Sequence, residues 1–152
     1  MALDIRTILD AVESHALASG YFVAVNGHEP KSTPTTGITC AVWVEQIGPA
    51  RGGSNLNSTT ARLALFVRLY SSMMQQPADA IDPDLMTALD ALMAAYSGDF
   101  ELGGLIRHVD LLGAYGDALS ARSGYLAEGD AEFRVFTITL PLVVNDLWLQ
   151  AP

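Results

Sequence analysis

Two stretches of the chain carry apolar residues at helical spacing, and most of the remaining apolar positions alternate or cluster as strands do. Between positions 3 and 19, Leu3, Ile5, Ile8, Leu9, Val12, Ala16 and Leu17 recur at the 3.6-residue period, which predicts a helix closed by Gly20. A second helix is predicted from Asp82-Pro83-Asp84. There Asp82 is the expected cap, Pro83 suits the first turn, and Asp84 is favoured by the positive end of the helix dipole. Leu85, Met86, Leu89, Leu92, Met93 and Tyr96 form its apolar stripe, and Gly98 is the expected stop.

The strand pattern is clearest at 59–71, where Leu63, Leu65, Val67 and Leu69 share one face. Arg62, Ala64, Phe66, Arg68 and Tyr70 share the other, which is amphipathic rather than simply wet. A strand of this kind suits a sheet whose back is partly covered by a helix or a neighbouring subunit. Further strands are predicted at 21–25, ending in the turn signal Asn26-Gly27, at 37–47 and at 105–112. Residues 124–128 and 131–140 are expected to pair as a hairpin through Gly129-Asp130, after a turn-rich connection at 113–123. Pro141 is expected to end regular pairing or mark a sheet edge, with a last extended or turn-like stretch at 142–148. The order is helix, strands, helix, strands, without a βαβα rhythm. The expected fold class is therefore α+β: a mostly antiparallel β-sheet with two α-helices packed against it, as one domain over 1–152.

Composition narrows the functional classes. Half of the 152 residues are hydrophobic, which excludes wholesale disorder. Only 16% are charged, against roughly 25% in an average domain, as expected when partner subunits cover part of the exterior. The net charge is −9 and the eight basic residues are scattered, which argues against a phosphate-gripping nucleic-acid binder. The start of the chain has acids where a signal peptide would have bases, and no apolar run approaches the length of a membrane span.

Catalytic chemistry finds little footing. The single cysteine, Cys40, lies in an apolar run and reads as a buried structural thiol. The segment Gly48-Pro49-Ala50-Arg51-Gly52-Gly53-Ser54 has the glycines of a phosphate loop, but Ser54 stands where the lysine is needed and a strand follows instead of a helix. His108 and Asp110 share a strand face, yet two ligands are too few for a transition-metal site. Asp79, Asp82, Asp84, Asp90, Asp99 and Glu101 are explained by capping and a solvated helix face, and predict one negative flank. No metal, cofactor or catalytic residue is expected, and the reading is of a protein that is not an enzyme.

Several segments occur in an order that carries a resemblance. Asp79-Ala80-Ile81-Asp82-Pro83 is followed by Ala91-Leu92-Met93-Ala94-Ala95-Tyr96-Ser97-Gly98-Asp99-Phe100 and by Val109-Asp110-Leu111-Leu112-Gly113. Then come Gly124-Tyr125-Leu126, the strand Phe133-Arg134-Val135-Phe136-Thr137-Ile138-Thr139-Leu140-Pro141, and Val144-Asn145-Asp146-Leu147-Trp148. Together these resemble the tail terminator (tail completion) proteins of long-tailed bacteriophages.

The resemblance implies a homo-hexameric ring that caps the tail tube, ends its polymerisation and provides the surface for head–tail joining. Its implied partners are other copies of itself, the major tail tube protein and a head-completion or neck protein, with DNA passing through the bore without specific binding. It implies a structural component at the head-proximal end of the virion tail, made in the host bacterial cytoplasm. A ring needs a heterologous interface. Phe66, Arg68 and Tyr70 are the candidate inter-subunit face, and the exposed edge of the 124–140 hairpin is the alternative for one side of it. Arg51, Gly52, Gly53, Ser54, Asn55, Leu56 and Asn57 form the candidate tube-docking loop. Two rivals remain at this point: a head–tail connector (neck, head-closure) subunit, and a small cytoplasmic enzyme.

Overall fold

The computed structural model describes residues 3–28, 37–50, 58–74, 77–129 and 131–149. In chain order they form α1 (Ile5–Ser19), β1 (Ala24–Asn26), β2 (Ile38–Pro49), β3 (Ser58–Ser72), α2 (Ile81–Gly98), β4 (His108–Val109), β5 (Ser120–Glu128) and β6 (Ala131–Leu149). A short 3-10 turn, Ala78–Ala80, leads into α2. The sheet runs β1-β2-β3-β6, and the far side of β6 is shared by β5 and β4. Only β1 and β2 pair in parallel, so the fold is the expected α+β arrangement with a mostly antiparallel sheet.

Local chemistry explains where α1 begins and ends. The Asp4 carboxylate accepts from the Thr7 backbone N–H and hydroxyl, and Gly20 closes the helix at φ 77°, a conformation that favours glycine. Ile8, Val12 and Ala16, four residues apart, face the sheet. In α2 the buried stripe is Ile81, Leu85, Ala88, Leu89, Leu92 and Tyr96. Met86, expected on that stripe, is instead 47% exposed. Tyr96 ties the helices together: its hydroxyl donates to the Val12 carbonyl at 3.2 Å and its ring meets His15 edge-on. At the end of α2, Asp99 accepts from Gly103 N–H and lies 2.9 Å from His15 Nε2, and both contacts hold its carboxyl below the ordinary range.

Strand alternation sorts the sheet into two faces. Cys40 and Val42 of β2, Leu63, Leu65, Val67 and Leu69 of β3, and Phe136, Ile138, Leu140 and Leu142 of β6 pack under both helices. Burial of each such side chain contributes about 1.5–3 kcal/mol, which makes this layer the main source of stability. The opposite face holds a smaller cluster of Ala41, Tyr70, Phe133 and Val135, beside which Phe66, Arg68, Thr137 and Thr139 are half-buried.

Several expectations are corrected. Asp82 is not the helix cap: Ala80 occupies that position without a side-chain bond, and Asp82 accepts from Arg134 Nε of β6 at 3.0 Å. An Arg partner reached across the fold outcompetes a local cap, and an acid in the first turn still favours the dipole. The strand expected at 105–112 shrinks to His108–Val109, because Leu102, Gly103 and Gly104 before it and Gly113 after it all turn at positive φ. β5 starts at Ser120, inside the stretch expected to be turn-rich.

Pro141 does not end β6. It pairs with Ala64 in mid-strand, and its carbonyl accepts from Asp110 N–H on the side away from β3. A residue's N–H and C=O point to the same side of a strand. The missing Pro141 N–H therefore faces the handover between β5, whose pairing stops at Thr139, and β4, whose pairing starts at Leu142. No β3 bond is lost there. The final stretch is also strand, bent by a register shift opposite Thr59–Ala61 and by Asp146 at φ 49°.

Candidate functional site

The register of β2, β3, β6 and β5 builds the open face row by row. One row runs Trp43, Phe66, Thr139, Ser120 and the next Ala41, Arg68, Thr137, Arg122. Side chains in a row point to the same side, so an aromatic row lies beside a row with two guanidinium groups. The sheet curls around them into a groove of ≈ 760 Å³, with Phe66, Arg68, Thr137 and Thr139 on its floor. Glu45 and Gln46 border one side, and residues 117–126 the other.

The arginines are held in place. Arg68 donates from Nε to Thr137 Oγ1 at 2.8 Å and lies 5.1 Å from the Trp43 ring centre, a cation–π distance. Trp43 in turn meets Phe66 edge-on at 6.0 Å. Further along β3, Arg62 donates to the Asp117 carbonyl at 2.8 Å, while its buried Nε has no hydrogen-bond partner among the described residues.

The wall over Arg62 is fixed by Asp110. This 2%-exposed carboxylate accepts from Ala114 N–H at 2.7 Å and Tyr115 N–H at 2.9 Å. Glycines make the turn possible: a Cβ at Gly113 would sit 2.7 Å from the Gly116 carbonyl, and one at Gly116 2.8 Å from Arg62 Nε. Asp110→Ala strands two N–H donors and is expected to cost about 1–3 kcal/mol in urea unfolding. It is also expected to raise amide exchange at 113–119; unchanged exchange there would show that the carboxylate does not hold the wall.

The sequence-based candidates fall in different places. Phe66 and Arg68 line the groove. Tyr70 shares their face but is 1% exposed, covered by Phe133 and Val135, so the face offered to a partner is narrower than expected. Arg51, Gly52, Gly53, Ser54, Asn55, Leu56 and Asn57 lie outside the described residues. Arg122 was hidden in the stretch read as a connection, and only its register with Thr137 places it beside Arg68.

Among the described residues, β5 and β2 each present a long stretch of open edge. β5 pairs with β6 alone, so one side of its nine residues has no strand partner among the described residues. β2 pairs with β1 only over Thr39–Ala41, so its outer side from 42 to 49 has no strand partner among the described residues. Val44 and Ile47 on that stretch are each 41% exposed.

Groups with intrinsic reactivity lie elsewhere. Cys40 is buried under the helices, and burial, reinforced by Glu13, pushes its thiol up to about 12, far from thiolate chemistry at neutral pH. His108 stacks on Tyr115, and its Nδ1 lies 3.0 Å from the Val109 carbonyl. Asp110 turns into the 113–119 loop, so the two do not form a ligand pair. No group of three or more His, Cys, Asp or Glu side chains among the described residues is placed to hold a metal ion. No helix among them is long and apolar enough to cross a membrane. The acids Asp79, Asp82, Asp84, Asp90 and Glu101 are exposed on the α2 side, the negative flank that the sequence predicts.

No family model matches the chain, and neither does any curated protein. Among solved structures, the chain is similar to a component of the virion of a native gene transfer agent particle. The TM-score is 0.44 at 12% identity, over 90% of this chain and 93% of that one. It is also similar to the sheath/tube terminator of an extracellular contractile injection system in its extended state, with a TM-score of 0.43 at 11% identity over all of this chain. The chain spans 61% of that terminator's length.

Proposed function

We propose that this protein is a structural tail terminator: a ring of identical subunits that caps a phage-type tail tube, ends its growth and presents a surface for head joining. The observation that carries the proposal is the pair of unlike open edges, the outer side of β5 and the outer side of β2 at 42–49. A closed ring requires two different surfaces that fit each other on successive subunits. These edges are of similar length, and β2 and β5 run in opposite directions through the antiparallel succession β2, β3, β6, β5. Rotation about an axis along the strands preserves strand sense. β5 of one copy then meets β2 of the next antiparallel, and the sheets join into a continuous wall without exposed edges. The ordered segments that resemble tail terminators support the same reading, and six copies is the number they imply.

Further features suit the role. A net charge of −9 keeps DNA from adhering as it passes through the bore. Docking to the tube or neck is assigned to the segment between β2 and β3, at Arg51, Gly52, Gly53, Ser54, Asn55, Leu56 and Asn57. The partners are then the tube protein on one ring face and a head-completion protein on the other.

The test is tail assembly without the chain. Tubes of uncontrolled length, with no heads attached, are expected, and adding the protein restores both properties. The variant lacking 51–57 is expected to fold but not to restore joining. Tubes of normal length joined to heads in the protein's absence would overturn the proposal.

A further inference from the structure

The groove on the open face is positively charged in a chain whose net charge is −9. Three guanidiniums line it (Arg62, Arg68 and Arg122) against two carboxylates, Glu45 and Asp117. The ion pairs among the described residues are His15–Asp99 and Arg134–Asp82, so none of the three groove arginines has a carboxylate partner there. Two are preorganised by neutral groups: Arg68 by Thr137 and Trp43, Arg62 by the Asp117 carbonyl.

The spacing of these groups selects the occupant. Arg68 and Arg122 lie two strands apart in one row, roughly 10 Å at 4.8 Å per strand. Arg62 is six positions from Arg68 on β3, roughly 20 Å at 3.3 Å per residue. One phosphate or carboxylate cannot bridge such distances, whereas an extended peptide of about six residues can. Guanidinium forks held in place match carboxylates in bidentate geometry. The chain does not supply this peptide from outside its described residues, where the only acids are Glu29 and Asp130.

We infer that the groove binds an extended acidic segment of a different protein, whose carboxylates engage Arg68, Arg122 and Arg62. The groove is bordered by β2 and β5, the strands whose outer sides are assigned to the ring, but it uses their side chains on the open face and not the outward main-chain groups of the edges. A partner gripped here is anchored by charge and therefore released by salt.

The experiment is fluorescence anisotropy with a labelled seven-residue peptide of alternating Glu and Thr, against the full chain. The expected result is saturable binding that weakens at least tenfold in Arg68→Gln, in Arg122→Gln, with Gln replacing Glu in the peptide, and on raising salt from 50 to 200 mM. Arg122 is exposed, so Arg122→Gln decides the matter if Arg68→Gln fails to fold. Equal binding by wild type and Arg122→Gln overturns the inference. So does tighter binding of a single-stranded oligonucleotide or inorganic phosphate than of the peptide. Displacement of the peptide when the wild-type chain self-assembles also overturns it, since the groove's occupant would then be a second copy of this chain.

Discussion

One of two adjacent proline substitutions in β5, Ser123→Pro or Gly124→Pro, is expected to abolish ring formation while leaving the subunit folded. The two residues pair with Phe136 and Val135 of β6, and successive residues of a strand turn their N–H groups to opposite sides. One proline therefore removes a β5–β6 bond, and the other removes only an outward N–H that a neighbouring copy would use. The outward variant should keep a melting temperature within a few degrees of wild type and sediment as a monomer under conditions that assemble the wild type. The inward variant should lose stability as well. Rings formed equally well by both variants would show that the β5 edge is not the interface.

The largest loss of stability is expected from Leu65→Ala. Leu65 is fully buried at the middle of β3, between Val44 and Leu140 in register and beneath the helices. Truncating it removes buried apolar area and leaves a cavity between layers that cannot collapse without moving a helix, at a cost of about 3 kcal/mol. For a domain of this size that corresponds to a fall in melting temperature of roughly 6–12 °C. Leu112→Ala, at a side chain 94% exposed, should stay within about 0.5 kcal/mol of wild type. A Leu65→Ala loss below about 1 kcal/mol in urea unfolding would contradict the placement of the core.

What could be read in advance depended on whether the deciding contact was local. The Asp4 cap, the Gly20 terminus and the Ile8, Val12, Ala16 stripe involve neighbours along the chain, and their pattern is explicit. The two faces of β3 were equally explicit, because one side is buried from Ala61 to Ser71 while Arg62, Phe66 and Arg68 on the other are only half-buried. Features that failed depend on partners far along the chain. Asp82 leaves its cap position for Arg134, which is 52 residues away. Pro141 is tolerated because of a gap between two other strands, and Tyr70 is covered by residues of β6. The start of β5 was illegible for another reason. Ser120, Ala121, Arg122 and Ser123 are all exposed, so no apolar alternation marks them as strand.

The same exposure gives β5 its significance. Nine residues of edge strand without a proline are an invitation to pair, which natural proteins usually block unless pairing is their purpose. The groove was invisible for a related reason. Its arginines are scattered in sequence at 62, 68 and 122, and only the registers of three strands bring them to one surface.

The central claim, a self-assembled ring at the end of a tail tube, is tested most directly by electron microscopy of this protein mixed with assembled tail tubes. The account predicts a six-fold ring seated on one end of each tube, built of subunits joined from the β5 edge to the β2 edge. Bare tube ends, with the protein remaining monomeric at concentrations well above those of assembly, would contradict it.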